Sequence, residues 1–268
     1  MGLSLVTPPA SLPLHVAEAR LHLRQDVIDE DAHIIATIAA ATDMAKNECQ
    51  SSFVACRWRL TLDCVPYQRM IELENGPVYN IVSIKFIGYD GVQVAWPSTE
   101  WVADLTRNPA RISPRFGKIW MLPLPQIATI EILYDAGYAA PIATDATANT
   151  ITPTGLWRTQ SVGDTIRVSN SGGALPAPLQ ETTDYFIAGI VGNGYTLSST
   201  SGGAVIDLTD VGSGLNFIGE VPAGVQQWIS LRIGSMHENR ESDQMMRGTV
   251  LSLPYLDALL DPYRAVSY

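Results

Sequence analysis

The spacing of apolar residues changes twice along this chain, and no motif constrains the fold as strongly. In LHVAEARLHLRQD, Val16, Ala19 and Leu23 recur at intervals of three and four, which predicts a helix with one apolar face. DEDAHIIATIAAATDMAKNECQ continues in the same way, with Ile35, Ile38, Thr42 and Ala45 as its stripe. From Cys56 the period drops to two. In RWRLTLD, Trp58, Leu60 and Leu62 alternate with Arg57, Arg59, Thr61 and Asp63, as a half-buried strand does. Further Ile- and Val-rich runs follow, divided by turns at Asn75-Gly76-Pro77 and Asp90-Gly91. The strands EWVADL, ARISPRFGKIW and IATIEILYDAGY complete this section, the last with Ile130, Ile132 and Tyr134 on one side. Helical spacing returns after Pro222, a residue suited to a first helical turn, with Val225, Trp228, Ile229, Ile233 and Met236 as the stripe. A last short helix is predicted over LPYLDALLDPYR.

Between these sections the composition shifts. Residues 144–220 hold 12 of the 21 glycines and no Lys, His, Cys or Met, and carry two arginines against seven acids. Short alternating runs such as DTIRVSNSG and DYFIAGIVGNGYTLSS predict a small all-β module. The expected fold class is therefore α+β: a helical body with two N-terminal and two C-terminal helices and a central antiparallel section. Residues 1–143 and 221–268 form that body, and 144–220 form an inserted accessory β domain at an exposed site.

At 268 residues and 46% apolar, the chain has enough side chains for a large core. Its formal charge is −10, which argues against non-specific binding to nucleic acid, because phosphate contacts depend on clustered Lys and Arg. Cys49, Cys56 and Cys64 lack C-x-x-C spacing and nearby His, so they are expected to be free thiols in a reducing cytosol. MGLSLVTPPASLPLH has no basic n-region, and Val6 stands where myristoylation needs Ser or Thr. No apolar run nears the roughly 20 residues that span a bilayer. A soluble protein without membrane contact, made inside the cell, is expected.

Sites for chemistry are scarce. MHENRES pairs His237 with Glu238, but Glu241 occupies the place where a zincin helix needs its second His. The two side chains also diverge by about 100° on a helix, so the segment is read as a polar helix end. Asp29-Glu30-Asp31 suits a first helical turn, where acids offset the helix dipole. GNGYTL lacks the third glycine of a dinucleotide loop, DLTDVGSG lacks the alternating ligands of a calcium loop, and no G-x-S-x-G elbow occurs. No catalytic, cofactor-binding or metal-ligating residue is nominated. One cluster stands out: Arg107, Arg111, Arg115 and Lys118 fall within twelve residues of an acidic protein. It is either a solvated loop or a docking surface for an acidic neighbour or for passing DNA.

The order of these segments resembles the head–tail connector (adaptor, or head-completion) proteins of long-tailed bacteriophages and gene transfer agents. AEARLHLRQDVIDEDAHIIATIAAATDMA leads to RWRLTLD, IELENGPVYNIVSIKFIGYDG, RISPRFGKIW and IEILYDAGY, then to VPAGVQQWISLRIGSMHENRES and LPYLDALLDPYR. The likeness covers about residues 12–142 and 220–264. In those relatives the YDAGY strand runs almost directly into the VP helix, whereas here the β module intervenes; the module itself looks like a repeat of phage structural and tail proteins. The resemblance implies a non-enzymatic virion protein of the neck, assembled in the host cytoplasm. It implies a ring of about twelve copies beneath the portal protein, extending the DNA channel toward a stopper or tail-completion protein. Transient contact with passing DNA follows, and an acidic channel wall would repel phosphate. The apolar stripe Tyr255, Leu256, Leu259, Leu260 and Tyr263 is then a candidate for docking on the portal, or else closes its own subunit's core.

Two rival readings have their own signatures. An adhesin-like or carbohydrate-binding protein would use aromatics of the module, Trp157, Tyr185 and Tyr195. A hydrolase would need a nucleophile, and none can be named.

Overall fold

The structure, a computed structural model, describes residues 1–26, 28–65, 70–120, 126–238 and 258–265. An N-terminal strand β1 (Gly2–Thr7) precedes helix α1 (Val16–Leu23), a 3₁₀ turn (Ile28–Glu30) and helix α2 (Asp31–Cys49). Seven strands follow: β2 (Cys56–Leu62), β3 (Ile71–Leu73), β4 (Val78–Ile87), β5 (Gln93–Ala95), β6 (Trp101–Asp104), β7 (Ala110–Pro114) and β8 (Ile130–Ala136). Then come β9 (Ala139–Asp145), β10 (Thr150–Pro153), β11 (Thr165–Ile166), β12 (Val168–Ser171), β13 (Tyr185–Val191), β14 (Gly194–Ser198) and β15 (Leu215–Gly219). Helix α3 (Ala223–Glu238) and a 3₁₀ turn (Asp261–Tyr263) close the described chain. The protein is α+β with antiparallel sheets.

The helical layer forms because three apolar stripes meet. α1 is capped by its own His15, whose Nδ1 accepts from the Ala17 amide at 3.2 Å, and ends at Arg24 in the left-handed region. α2 buries Ile34, Ile38, Ala41, Ala45 and Cys49. This corrects the predicted stripe: Ile35 is 45% exposed. Thr42 returns its hydroxyl to the Ile38 carbonyl at 2.7 Å. Ala41 and Ala45 share one core with Val225, Trp228, Ile229 and Ile233 of α3, and the buried face includes Ile34 rather than Ile35. Asp31 begins α2 as an acid should, and also pairs with Arg20 at 3.2 Å. On α3, Val225, Trp228, Ile229 and Ile233 are buried as predicted, whereas Met236 is only half-buried.

The expected count of four helices is revised. Three α-helices occur among the described residues, and the first five residues of the segment predicted as the second C-terminal helix, Tyr255 and Leu256 among them, lie outside them. What is described there ends in the 3₁₀ turn.

β2 follows its alternation strictly: Trp58, Leu60 and Leu62 are buried. It pairs with β8 over seven residues, from Cys56 opposite Ala136 to Leu62 opposite Ile130. The sheet order is β1-β2-β8-β4-β5. A three-stranded sheet, β3-β7-β6, shares one core with it, in which Leu60, Ile132, Leu73 and Ile112 are fully buried. Each such side chain stabilises the fold by about 1.5–3 kcal/mol.

The seven-stranded sheet runs in the order β11-β13-β14-β10-β9-β15-β12. It starts at Ala139, ahead of the composition change at 144, because β9 and β15 are shared between two cores. Along both strands the pleat alternates sides. Ala139 and Phe217 join the helical core, while Ala140 and Ile218 join the core of the β section. Pro141 lies opposite Phe217, so the chain passes into and out of this section on paired neighbours. A second tie runs from its β12: the His15 amide donates to Ser171 Oγ at 2.8 Å, and that hydroxyl donates to the Glu18 carboxylate.

Candidate interaction surfaces

The basic cluster sits on the β6–β7 hairpin and the turn after it, and half of it is already neutralised. Arg111 pairs with Asp104 at 3.3 Å and Lys118 with Glu100 at 3.1 Å. Hydrogen bonding from Thr106, with help from Arg111, holds the Asp104 carboxyl below the usual carboxylate range. Arg115 reaches only the Trp101 carbonyl, at 3.5 Å, and Arg107 is exposed with no carboxylate partner among the described residues. Among the described residues, two guanidiniums therefore remain without a carboxylate partner at this end of the sheet. Sequence alone could not separate the four, because their acidic partners are remote or sit across a hairpin.

Beside Arg115 the structure reveals a surface that the sequence reading missed. β7 ends at Pro114, and Gly117 adopts φ +77°, so RFGK forms a turn rather than continuing a strand. The turn leaves Phe116 fully exposed, with Ile119 73% and Tyr89 77% exposed nearby. Tyr89 and Ile119, with Gly117 next to Phe116, line a cleft of about 800 Å³ that also holds Trp96 and Trp120, their rings tilted at 33° with centroids 4.6 Å apart. Exposed aromatics grouped in this way mark contact surfaces.

A second apolar depression lies at the far edge of the same sheet. Leu5 of β1, Pro8, Leu12, Phe53 and Val54 line a groove of about 430 Å³ roofed by α2. On its rim Asp43 is exposed and has no ion-pair partner among the described residues, while Lys46 is turned onto the Trp58 ring at 4.7 Å.

The C-terminal stripe divides. Leu260 is fully buried in the helical core, with Leu259 and Tyr263 packed against it. Tyr263 meets Tyr138 edge-on at 6.3 Å, and its carbonyl accepts from Ser51 Oγ at 2.9 Å. The Ala265 amide donates to the Cys49 carbonyl at 2.9 Å.

His237 falls on the last turn of α3, where its Nε2 lies 2.7 Å from Gln25 Nε2 and 3.9 Å from Glu30. The rest of MHENRES, from Asn239, lies outside the described residues. No group of three or more His, Cys, Asp or Glu able to hold a metal occurs among the described residues, and no described helix is long and apolar enough to cross a membrane. In the β section Tyr185 and Tyr195 are core residues, and Trp157 packs on Tyr79 with centroids 5.7 Å apart. Tyr185 and Tyr195 thus point inward from β13 and β14, while Trp157, on the loop after β10, is half-buried, so the three do not form an exposed platform.

The protein is α+β, its described polar groups are largely occupied in structural pairs, and exposed Phe116, Ile119 and Tyr89 gather at one edge of its five-stranded sheet. Solved structures share this fold. A chain in the virion of a native gene transfer agent particle matches with a TM-score of 0.58 at 16% identity, covering 100% of this chain and 97% of that one. A chain in the neck of the empty particle, computed with C6 symmetry, matches at 0.57 and 17%, with the same coverage. One in the neck of the native particle, computed with C12 symmetry, matches at 0.54 and 16%, again over 100% and 97%. No protein-family model matches the sequence, and no curated protein matches it significantly.

Proposed function

We propose that this protein is a structural, non-enzymatic neck component of a phage-like or gene transfer agent particle. In this reading it is a head–tail connector that assembles as a ring on the portal and extends the DNA channel toward the tail. The fold likeness carries the reading, since it runs the length of both chains and two of the matched chains come from particle necks. Twelve copies are proposed by analogy with the C12 neck. The portal protein, a stopper or tail-completion protein and passing DNA are its proposed partners. Assembly in the host cytoplasm and residence in the neck follow. A net charge of −10 suits a channel wall past which DNA must slide without sticking. Reversal of lumen-facing acids to Lys is then expected to slow DNA release, and unchanged ejection kinetics would refute the repulsion argument.

Portal docking is assigned to the segment with Tyr255 and Leu256, because Leu260 is committed to the subunit's own core. Arg107 and Arg115, with unspent charge, are the proposed partner- or DNA-facing part of the basic cluster, while Arg111 and Lys118 hold the hairpin.

The deciding experiment is to delete the gene and image the particles. Filled heads without tails, rescued by the intact chain, are expected. Normal tailed particles, or purified necks that lack this polypeptide, would overturn the proposal.

A further inference from the structure

We infer that Phe116 of one copy seats in the groove between β1 and α2 of the next copy, with Arg115 of the first facing Asp43 of the second. This rests on the ring reading above and names the surfaces that would build the ring.

Phe116 is a fully exposed phenyl group at the tip of a glycine turn. A side chain placed there does nothing for its own subunit, yet it is shaped to enter another surface. The groove is the apolar depression that matches it. Its volume of about 430 Å³ is ample, given that an apolar cavity of about 150 Å³ already holds benzene.

Charge complementarity selects the partner. Arg115, next to Phe116, lacks a carboxylate, and Asp43, on the groove rim, lacks a cation among the described residues. Each surface supplies the charge that the other needs. A docked Arg–carboxylate pair also fixes orientation as well as adding attraction.

Position selects the symmetry. The groove adjoins β1 and the Cys56 end of β2, whereas Gly117 and Lys118, the residues after Phe116, line the cleft beside β5 and the Phe86 end of β4. The sheet order puts β1 and β5 on opposite edges. The register puts Cys56 and Phe86 at opposite ends, because Cys56 lies opposite Ala136 and Phe86 opposite Ile130. Two surfaces at diagonal corners cannot satisfy each other within one pair of subunits. The contact is therefore heterologous and propagates from copy to copy until it closes.

The test uses the full chain with Cys64→Ser, Phe116→Cys and Leu12→Cys, oxidised both as purified and after assembly into necks. A ladder of covalent multiples that needs both new cysteines is expected. Phe116→Ala should weaken self-association by about thirtyfold, the loss typical of a buried aromatic anchor. Arg115→Asp or Asp43→Arg alone should also weaken it, and the two combined in one chain should restore it. Phe116 and Asp43 are exposed, so circular dichroism of each variant should match the parent. Rings that form without the ladder and tolerate Phe116→Ala would overturn this interface while leaving the ring intact. A disulfide from the Phe116→Cys variant to a different neck protein would overturn the choice of occupant. Necks holding a single copy would overturn the ring reading, and this interface with it.

Discussion

Asp135 on β8 is 3% exposed and accepts three hydrogen bonds, two from Arg57 at 2.6 and 3.0 Å and one from Asn80 at 3.0 Å. Its worth lies in completeness, because a buried ion whose partner is removed keeps its desolvation cost. Asp135→Ala is expected to cost about 3–5 kcal/mol in urea unfolding, and Arg57→Met with Asp135→Leu to recover most of it. A second residue makes a pH-dependent contribution. Burial against the helical core pushes the Cys49 thiol up to about 11. An unfolded thiol ionises near about 8.5, so the folded state holds its proton more tightly. That stabilisation is complete below the unfolded value and is lost as pH rises toward 11. Cys49→Ala should flatten the alkaline fall in stability by at most about 1.4 kcal/mol per pH unit, measured by unfolding on both sides of that window.

At the scale of elements, the link between β8 and β9 decides how the sheets join. Gly137 has φ +147°, and a Cβ there would lie 2.6 Å from the backbone of Ala55. The backbones approach because the Ala55 amide donates to the Ala139 carbonyl at 2.8 Å. Gly137→Ala should therefore cost about 3 kcal/mol, read as a lowered midpoint with unchanged slope in denaturant unfolding. The C-terminal segment yields a paired expectation. Leu260→Ala should destabilise by about 2–5 kcal/mol, as a buried leucine does. Tyr255→Ala with Leu256→Ala should weaken portal capture and leave the melting temperature unchanged; loss of stability instead would assign those residues to the core.

For the molecule as a whole, β9 and β15 are the joint. Because Ala139 and Phe217 belong to the helical core, removal of 139–219 takes part of the body with it. Ile142 and Asn216 each adjoin one member of the Pro141–Phe217 pair, the last of the β9–β15 ladder. Replacing 143–215 with Asn-Gly should close a two-residue hairpin and leave a body that unfolds cooperatively. Removal of 139–219 should give an unfolded chain by circular dichroism.

Where burial followed from local alternation, residue order was enough. Trp58, Leu60 and Leu62 on β2, and Ile130, Ile132 and Tyr134 on β8, point inward as their spacing predicts, because a pleat sends neighbours to opposite faces whatever surrounds them. The helix register was not legible, since Ile34 and Ile35 are equally apolar and only the packing of the shared helical core chooses between them. The candidate surfaces were legible only as composition. Arg111 and Lys118 differ from Arg107 and Arg115 through Asp104 and Glu100, partners delivered by folding. Phe116 sat unremarked inside an apparent strand until the turn at Gly117 put its ring in water. Periodicity is a property of neighbours along the chain, whereas pairing, exposure and shared strands depend on which distant segments arrive beside them.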